Sequence, residues 1–309
     1  MTLRFVLPAI HRRPTGGNLY NRRMAGALRR LPPPAGSVTL IDSLMLGAPV
    51  RGRAVLLAHY LNLIDPERRN SRAADRERRL LAAFDGIVAT SDFSRNALRA
   101  EGFTNVETVP PGLDERFRAA LPARPSGRLL LTIASILPNK GLMEVIDVLE
   151  SLADLEWTWV LAGDASLDPS YAGRVAARMA RSPLRDRLRL RPPLPPSRIP
   201  ALCDRAGVFV LPTHFETCSM VTREAMARGL PVVAYDTGGL AANLPAASRK
   251  WLAPPGDAAG LGARLRVLLT SAKERRAAGS RNRTAALRFP SWTDSAERLL
   301  RFLQRVGAT

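Results

Sequence analysis

The chain has 309 residues, 46% hydrophobic and 24% charged, ordinary globular proportions that exclude wholesale disorder. The abnormal quantity is charge: 46 basic side chains against 27 acidic ones give a net +19, spread over both halves. Such a field favours anionic partners, whether nucleotides, phospholipid surfaces or nucleic acid, although arginine-rich usage along the whole chain explains most of it without any partner.

No apolar run reaches the roughly 18–20 residues that a membrane span requires. The opening Met1-Thr-Leu-Arg-Phe-Val-Leu-Pro8 lacks a signal-peptide pattern, and Cys203 and Cys218 form neither a disulfide framework nor a metal-ligand spacing. These features predict a soluble, reduced, cytoplasmic protein of two medium domains.

In chain order, residues 3–8 form a short apolar run, Gly16-Gly17 follow it, and a helical pattern covers 19–31. Further apolar runs at 38–41, 54–58 and 87–90 alternate with helical stretches, as in a parallel sheet with crossover helices. Residues 65–84 read as a basic helix with Arg68, Arg72 and Arg76 on one face. That face is either simply solvated or a surface for acidic lipid or a phosphorylated acceptor. Polar, proline-containing residues 121–128 read as a linker. The pattern then restarts with strand 129–134, helix 142–152, strand 157–162 and helix 171–181, then strands 208–211 and 231–234 around a helix at 219–228. Arg191-Pro-Pro-Leu-Pro-Pro-Ser-Arg-Ile-Pro200 reads as a rigid loop rather than a polyproline ligand. Two βαβ arrays in tandem predict an α/β protein of two Rossmann-like domains facing across a cleft, 1–125 and 126–288, with a terminal segment 289–309.

Chemistry concentrates between Val208 and Gly239. A buried strand runs into a loop with Glu216, and a helix capped by Thr217 or Ser219 carries Glu224 on its second turn. At 1.5 Å per helical residue the two carboxylates lie at most roughly 12 Å apart, about the length of a nucleotide-sugar from ribose to sugar ring. The helix N-terminus between them suits a diphosphate. Asp236-Thr-Gly-Gly239 ends the next strand with a small-residue loop. Lys140 is one of only three lysines, with Lys250 and Lys273, so a lysine in Pro138-Asn-Lys-Gly141 points to a need for a compact ammonium.

This segment resembles the signature of family 4 retaining glycosyltransferases of the GT-B fold, whose two acidic residues are separated by seven. Pro14-Thr-Gly-Gly-Asn-Leu-Tyr20 resembles the family's first glycine loop, and Leu56-Leu-Ala-His59 its strand ending in an active-site histidine. Thr108-Val-Pro-Pro-Gly-Leu-Asp114 resembles the close of the first domain. Ile133-Ala-Ser-Ile-Leu-Pro-Asn-Lys-Gly141 resembles the phosphate loop opening the second, and Leu161-Ala-Gly-Asp164 its next strand end. Trp251-Leu-Ala-Pro-Pro-Gly-Asp257 and the helix at Trp292 resemble the tail of the pattern, where that helix crosses back onto the first domain.

The resemblance implies roles. Glu224 accepts hydrogen bonds from ribose hydroxyls. Glu216, with backbone amides near Cys218 and Ser219, holds the donor sugar, flanked by Thr217 and Met220. Lys140 neutralises the β-phosphate, His59 sits beside the transferring sugar, and Gly16-Gly17 let backbone approach the phosphates. Ser135 and Gly163 complete the donor contacts. The sequence departs from the pattern where relatives have Gly-Arg and this chain has Ala134-Ser135, and where Glu-Gly-aromatic-Gly becomes Glu216-Thr-Cys-Ser219.

Read alone, His59 is as readily a core histidine as a functional one, and His11 and His214 have structural or solvated roles. Cys218 has no base partner for thiol catalysis. No two aspartates stand two positions apart and no His/Cys cluster occurs, so no metal or cofactor is expected. The implied activity is metal-independent transfer from a nucleotide-sugar, UDP-sugar favoured over GDP-sugar, to an unidentified, anionic or lipid-linked acceptor, with peripheral contact at the inner membrane face. The alternatives are a phosphate acceptor, or an inactive scaffold serving as a basic membrane or nucleic-acid adaptor. No nucleic-acid motif is visible.

Overall fold

A computed structural model describes residues 3–8, 15–32, 37–49, 52–122 and 127–308. His11, Pro14 and residues 123–126 of the expected linker lie outside them. The chain divides into two units, Met1–Leu113 with Pro290–Thr309, and Asp114–Phe289.

The first unit runs β1 (Leu3–Val6), α1 (Gly16–Leu28), β2 (Val38–Asp42), β3 (Arg53–Ala58), α2 (Arg72–Leu81), β4 (Gly86–Ala89), α3 (Asp92–Ala100) and β5 (Val106–Thr108). Its strands pair in parallel in the order β1-β2-β3-β4-β5. Continuous apolar strands suit a sheet covered on both faces, and Ala54–Ala58 are all buried. The expected helix over 65–84 is shorter than its arginine spacing suggests. Asp65 Oδ1 accepts from Glu67 N at 3.0 Å to make a turn, and Ser71 Oγ accepts from Ala74 N at 3.2 Å, so the helix starts only at Arg72. Arg68 lies in the preceding turn, off the helix.

The second unit runs α4 (Glu115–Arg118), β6 (Leu129–Ile133), α5 (Leu142–Glu150), β7 (Thr158–Ala162), α6 (Pro169–Arg181), β8 (Leu188–Arg191) and α7 (Ile199–Arg205). It continues through β9 (Val208–Leu211), α8 (Met220–Ala227), β10 (Val232–Tyr235), α9 (Leu240–Asn243), β11 (Leu252–Ala253), α10 (Ala258–Thr270) and α11 (Ala272–Ala286). Its parallel order is β11-β10-β9-β6-β7-β8. Trp159 is fully buried at the centre; its Nε1 donates to Thr132 Oγ1 at 3.0 Å, which donates to Val210 O at 2.7 Å, tying β7, β6 and β9 together.

The expected boundary near residue 125 moves to Leu113/Asp114. Buried Arg228, at the end of α8, donates to Ala119 O at 2.8 Å, Arg283 does so at 3.1 Å, and Arg118 donates to Phe289 O at 2.7 Å. These bonds hold residues 114–120 to the second unit. The last helix, α12 (Trp292–Ala308), belongs to the first unit, packing against α1, β2 and β3. Leu299, Phe302, Leu303 and Val306 form its buried stripe at helical spacing, and the Trp292 ring meets Tyr20 edge-on at 5.6 Å.

Candidate functional site

In the second unit the chain leaves β6 for β7 and β8 on one side, then returns to build β9, β10 and β11 on the other. The reversal falls between adjacent strands β6 and β9. In open parallel sheets ligands bind outside the carboxyl ends of the strands at such a point. The loop after β6 carries Ser135 and Lys140; the loop after β9 carries Glu216, Thr217, Cys218 and Ser219.

The two loops meet at that point. Lys140 Nζ donates to Glu216 Oε1 at 2.5 Å, both side chains 17% exposed, so the pair is shielded better than a surface ion pair. Gly141, at φ 63°, turns the chain from Lys140 into α5. Asn139 O accepts from His214 N at 2.9 Å and from Thr213 Oγ1 at 3.0 Å, lacing one loop to the other. His214 has a structural role: its Nε2 lies 2.7 Å from Glu144 Oε1, and Tyr235 OH donates to Glu144 Oε2 at 2.6 Å. Burial and this carboxylate raise the Tyr235 hydroxyl well above its ordinary pKa.

Ser219 precedes α8 as expected, but not as a side-chain cap. Its backbone is left-handed (φ 57°), which only this non-glycine residue adopts among those described, and its Oγ pairs with Thr222 Oγ1 at 2.8 Å. Cys218 is buried, and burial pushes its thiol up, away from thiolate chemistry. Thr217 and Met220 are half-buried, and Glu224 lies half-buried on the second turn of α8. Gly163, at the end of β7, has no room for a Cβ because Ala134 O occupies that place.

Residues outside the expected set brace these loops. Gly239 N donates to Glu216 O at 2.7 Å and Thr237 Oγ1 to His214 O at 2.7 Å; Asn243 Nδ2 donates to Cys218 O. The small-residue loop at Asp236-Thr-Gly-Gly239 is the sequence signal for Thr237 and Gly239, and Asn243 has none. Among the described residues no group of three or more His, Cys, Asp or Glu side chains is placed to hold a metal. No helix of the described residues is long and apolar enough to cross a membrane.

Gly17 and His59 come together in the first unit. Gly17, the second residue of α1, has its missing Cβ only 3.1 Å from His59 Cδ2, whereas Gly16 faces open space. His59 follows β3, its Nε2 2.9 Å from Asn21 Oδ1 and 3.5 Å from Asp42 Oδ2. Burial lowers the pKa of this ring and Asp42 pulls it back.

The family model of glycosyl transferases group 1 matches residues 114–285, more than half of the chain. The chain belongs to this family. Among curated proteins it is 30% identical over 182 residues to a D-inositol 3-phosphate glycosyltransferase of Xylanimonas cellulosilytica, covering 53% of this chain and 43% of that protein. It is 29% identical over 202 residues to a 2-deoxystreptamine glucosyltransferase of Streptomyces kanamyceticus, covering 60% and 51%. The chain thus spans about half the length of the curated relatives it matches. Among solved structures, Anabaena HepE in complex with UDP-glucose superposes with a TM-score of 0.81 at 16% identity, over 98% of this chain and 99% of that one. The fold of this group 1 member is GT-B, with a parallel Rossmann-like sheet in each unit. The family match covers the second unit, where the Lys140–Glu216 pair lies.

Proposed function

We propose that this family member is a retaining glycosyltransferase of the family 4 type. It moves a sugar from a nucleoside-diphosphate donor, a UDP-sugar in preference to a GDP-sugar, to an acceptor hydroxyl. The observation that carries the reading is the Lys140–Glu216 pair at the strand-order reversal, beside the N-terminus of α8. Departure of a nucleoside diphosphate builds negative charge, and a fixed ammonium with helix-terminal amides stabilises it in place. Glu216 holds that ammonium before the donor arrives and then takes the donor's sugar hydroxyls. Glu224 accepts from the ribose, and Ser135, Gly163, Thr217, Cys218, Ser219 and Met220 line the donor by backbone and small side chains. From the first unit the resemblance assigns His59 to the transferred sugar and Gly16-Gly17 to the phosphates. The diphosphate is neutralised by protein groups, without a metal. HepE was crystallised with UDP-glucose, which supports the donor class; the names of the curated relatives point to polyhydroxylated acceptors.

The test is incubation with UDP- and GDP-sugars, following slow hydrolysis and the anomeric form of released sugar by NMR. Hydrolysis of a UDP-sugar with retained configuration, unaffected by EDTA, is expected. No turnover of any donor, an inverted product, or loss with EDTA and rescue by magnesium or manganese would overturn the corresponding part.

A further inference from the structure

In the first unit two large apolar side chains stand in solvent: Leu44, 65% exposed, and Tyr60, 39% exposed. No other large hydrophobic residue described there is as exposed. Each lies two residues past the end of its strand, Leu44 after β2 and Tyr60 after β3, and these strands are neighbours. Neither is a loose end. Asp42 Oδ1 accepts from Leu44 N at 2.8 Å, Ser43 Oγ accepts from His59 N at 3.2 Å, and Tyr60 OH donates to Asp65 Oδ2 at 2.8 Å. The fold presents both apolar groups outward from fixed backbone.

Beside them lies unbalanced positive charge. Arg68, Arg69, Arg72, Arg76 and Arg79 are exposed, and none makes an ion pair among the described residues. Arg76 reaches the Leu44 loop, its Nη2 3.8 Å from where a Cβ on Gly47 would stand. The neighbouring acids are mostly engaged: Asp75 pairs with Arg78 at 2.8 Å, and Glu77 accepts from Asn62 Nδ2 at 2.6 Å and Leu63 N at 3.0 Å. Glu67 is exposed, and its carboxylate makes no ion pair among the described residues.

We propose that this edge of the first unit docks on a lipid bilayer bearing anionic headgroups, the arginines on headgroup phosphates and Leu44 in the acyl boundary. Charge complementarity selects the anionic surface. The projecting Leu44 selects a bilayer over a nucleic acid, whose phosphates the arginines alone would satisfy. The docking is independent of glycosyl transfer: either reading can fail while the other stands.

Co-sedimentation of the full chain with phosphatidylcholine vesicles, with and without phosphatidylglycerol, tests it. Binding to the phosphatidylglycerol vesicles is expected at low ionic strength, with release as salt rises. Arg72→Glu with Arg76→Glu should weaken it by on the order of tenfold or more, and Leu44→Ser several-fold, neither changing the Tm of these exposed sites. Binding that ignores phosphatidylglycerol, survives the charge reversals or is unaltered by Leu44→Ser overturns the proposal. The last result with competition by single-stranded RNA would mark a nucleic-acid surface instead.

Discussion

His59 is held by a buried relay that also sets its proton. Asn21 Nδ2 donates to Asp42 Oδ2 at 2.5 Å, so Asn21 Oδ1 must accept, and the hydrogen-bond network assigns the proton of His59 to Nε2. Burial keeps the folded pKa below the ordinary 6.5. The unfolded chain then binds the proton first as pH falls, so stability decreases below about pH 6.5 and is restored above it. Asn21→Asp puts a second carboxylate on the ring and should raise its pKa. With three histidines in the chain, ring titration by NMR resolves this, and a His59 that titrates above its ordinary range in the unaltered protein refutes the relay.

In the proposed reading, Lys140 and the two glutamates divide the donor between them. Ser135 stands where relatives supply a second cation, so Lys140→Ala should lower kcat by about 10²–10³, the scale of one deleted transition-state donor. Lys140→Arg should recover only part, because a planar fork does not fill an ammonium's place. Near-unaltered turnover in Lys140→Ala would move the phosphate site elsewhere. Glu224→Ala should weaken UDP binding by about 1.5–3 kcal/mol in calorimetry, while Glu216→Ala spares UDP and discriminates among sugars. Equal losses for both ligands in both variants would show the roles misassigned.

Among the elements, α8 shows how a sequence departure becomes structure. The motif it resembles has glycine where Ser219 stands, and Ser219 adopts the left-handed backbone that glycine takes without steric cost. Ser219→Gly should hold or raise thermal stability, whereas Ser219→Val should cost about 1–3 kcal/mol. A valine variant as stable as the unaltered protein would mean that the turn is not strained. The long strands were legible because a strand covered on both faces reads as an unbroken apolar run, as at 54–58 and 208–211. β5 and β11, three and two residues long, were missed because so short a run has no period. The 65–71 turn was read as helix because arginine spacing survives where the backbone does not follow it. Glu216 and Glu224 were visible as a spacing, but the Lys140–Glu216 pair joins residues 76 apart, which no local pattern reports. Asn21 and Asp42 were silent for the same reason.

At the scale of the molecule, the first unit is assembled from two stretches of chain separated by the whole of the second. A chain ending at Phe289 loses the buried Leu299, Phe302 and Leu303 stripe, so the first unit should lose its cooperative melt while the second keeps UDP affinity. Loss of UDP binding in that truncated chain would mean that the second unit does not stand alone. Synthesis adds an ordering in time. β1 to β5 leave the ribosome first, yet the helix that covers α1, β2 and β3 arrives only after residues 114–289 have been made. The unit that starts first therefore finishes second, and through that interval Tyr20, buried in the finished protein with its ring against Trp292, waits without that partner. Ribosome-bound chains should therefore recruit holdase chaperones to the amino-terminal third for longer than to the part that follows.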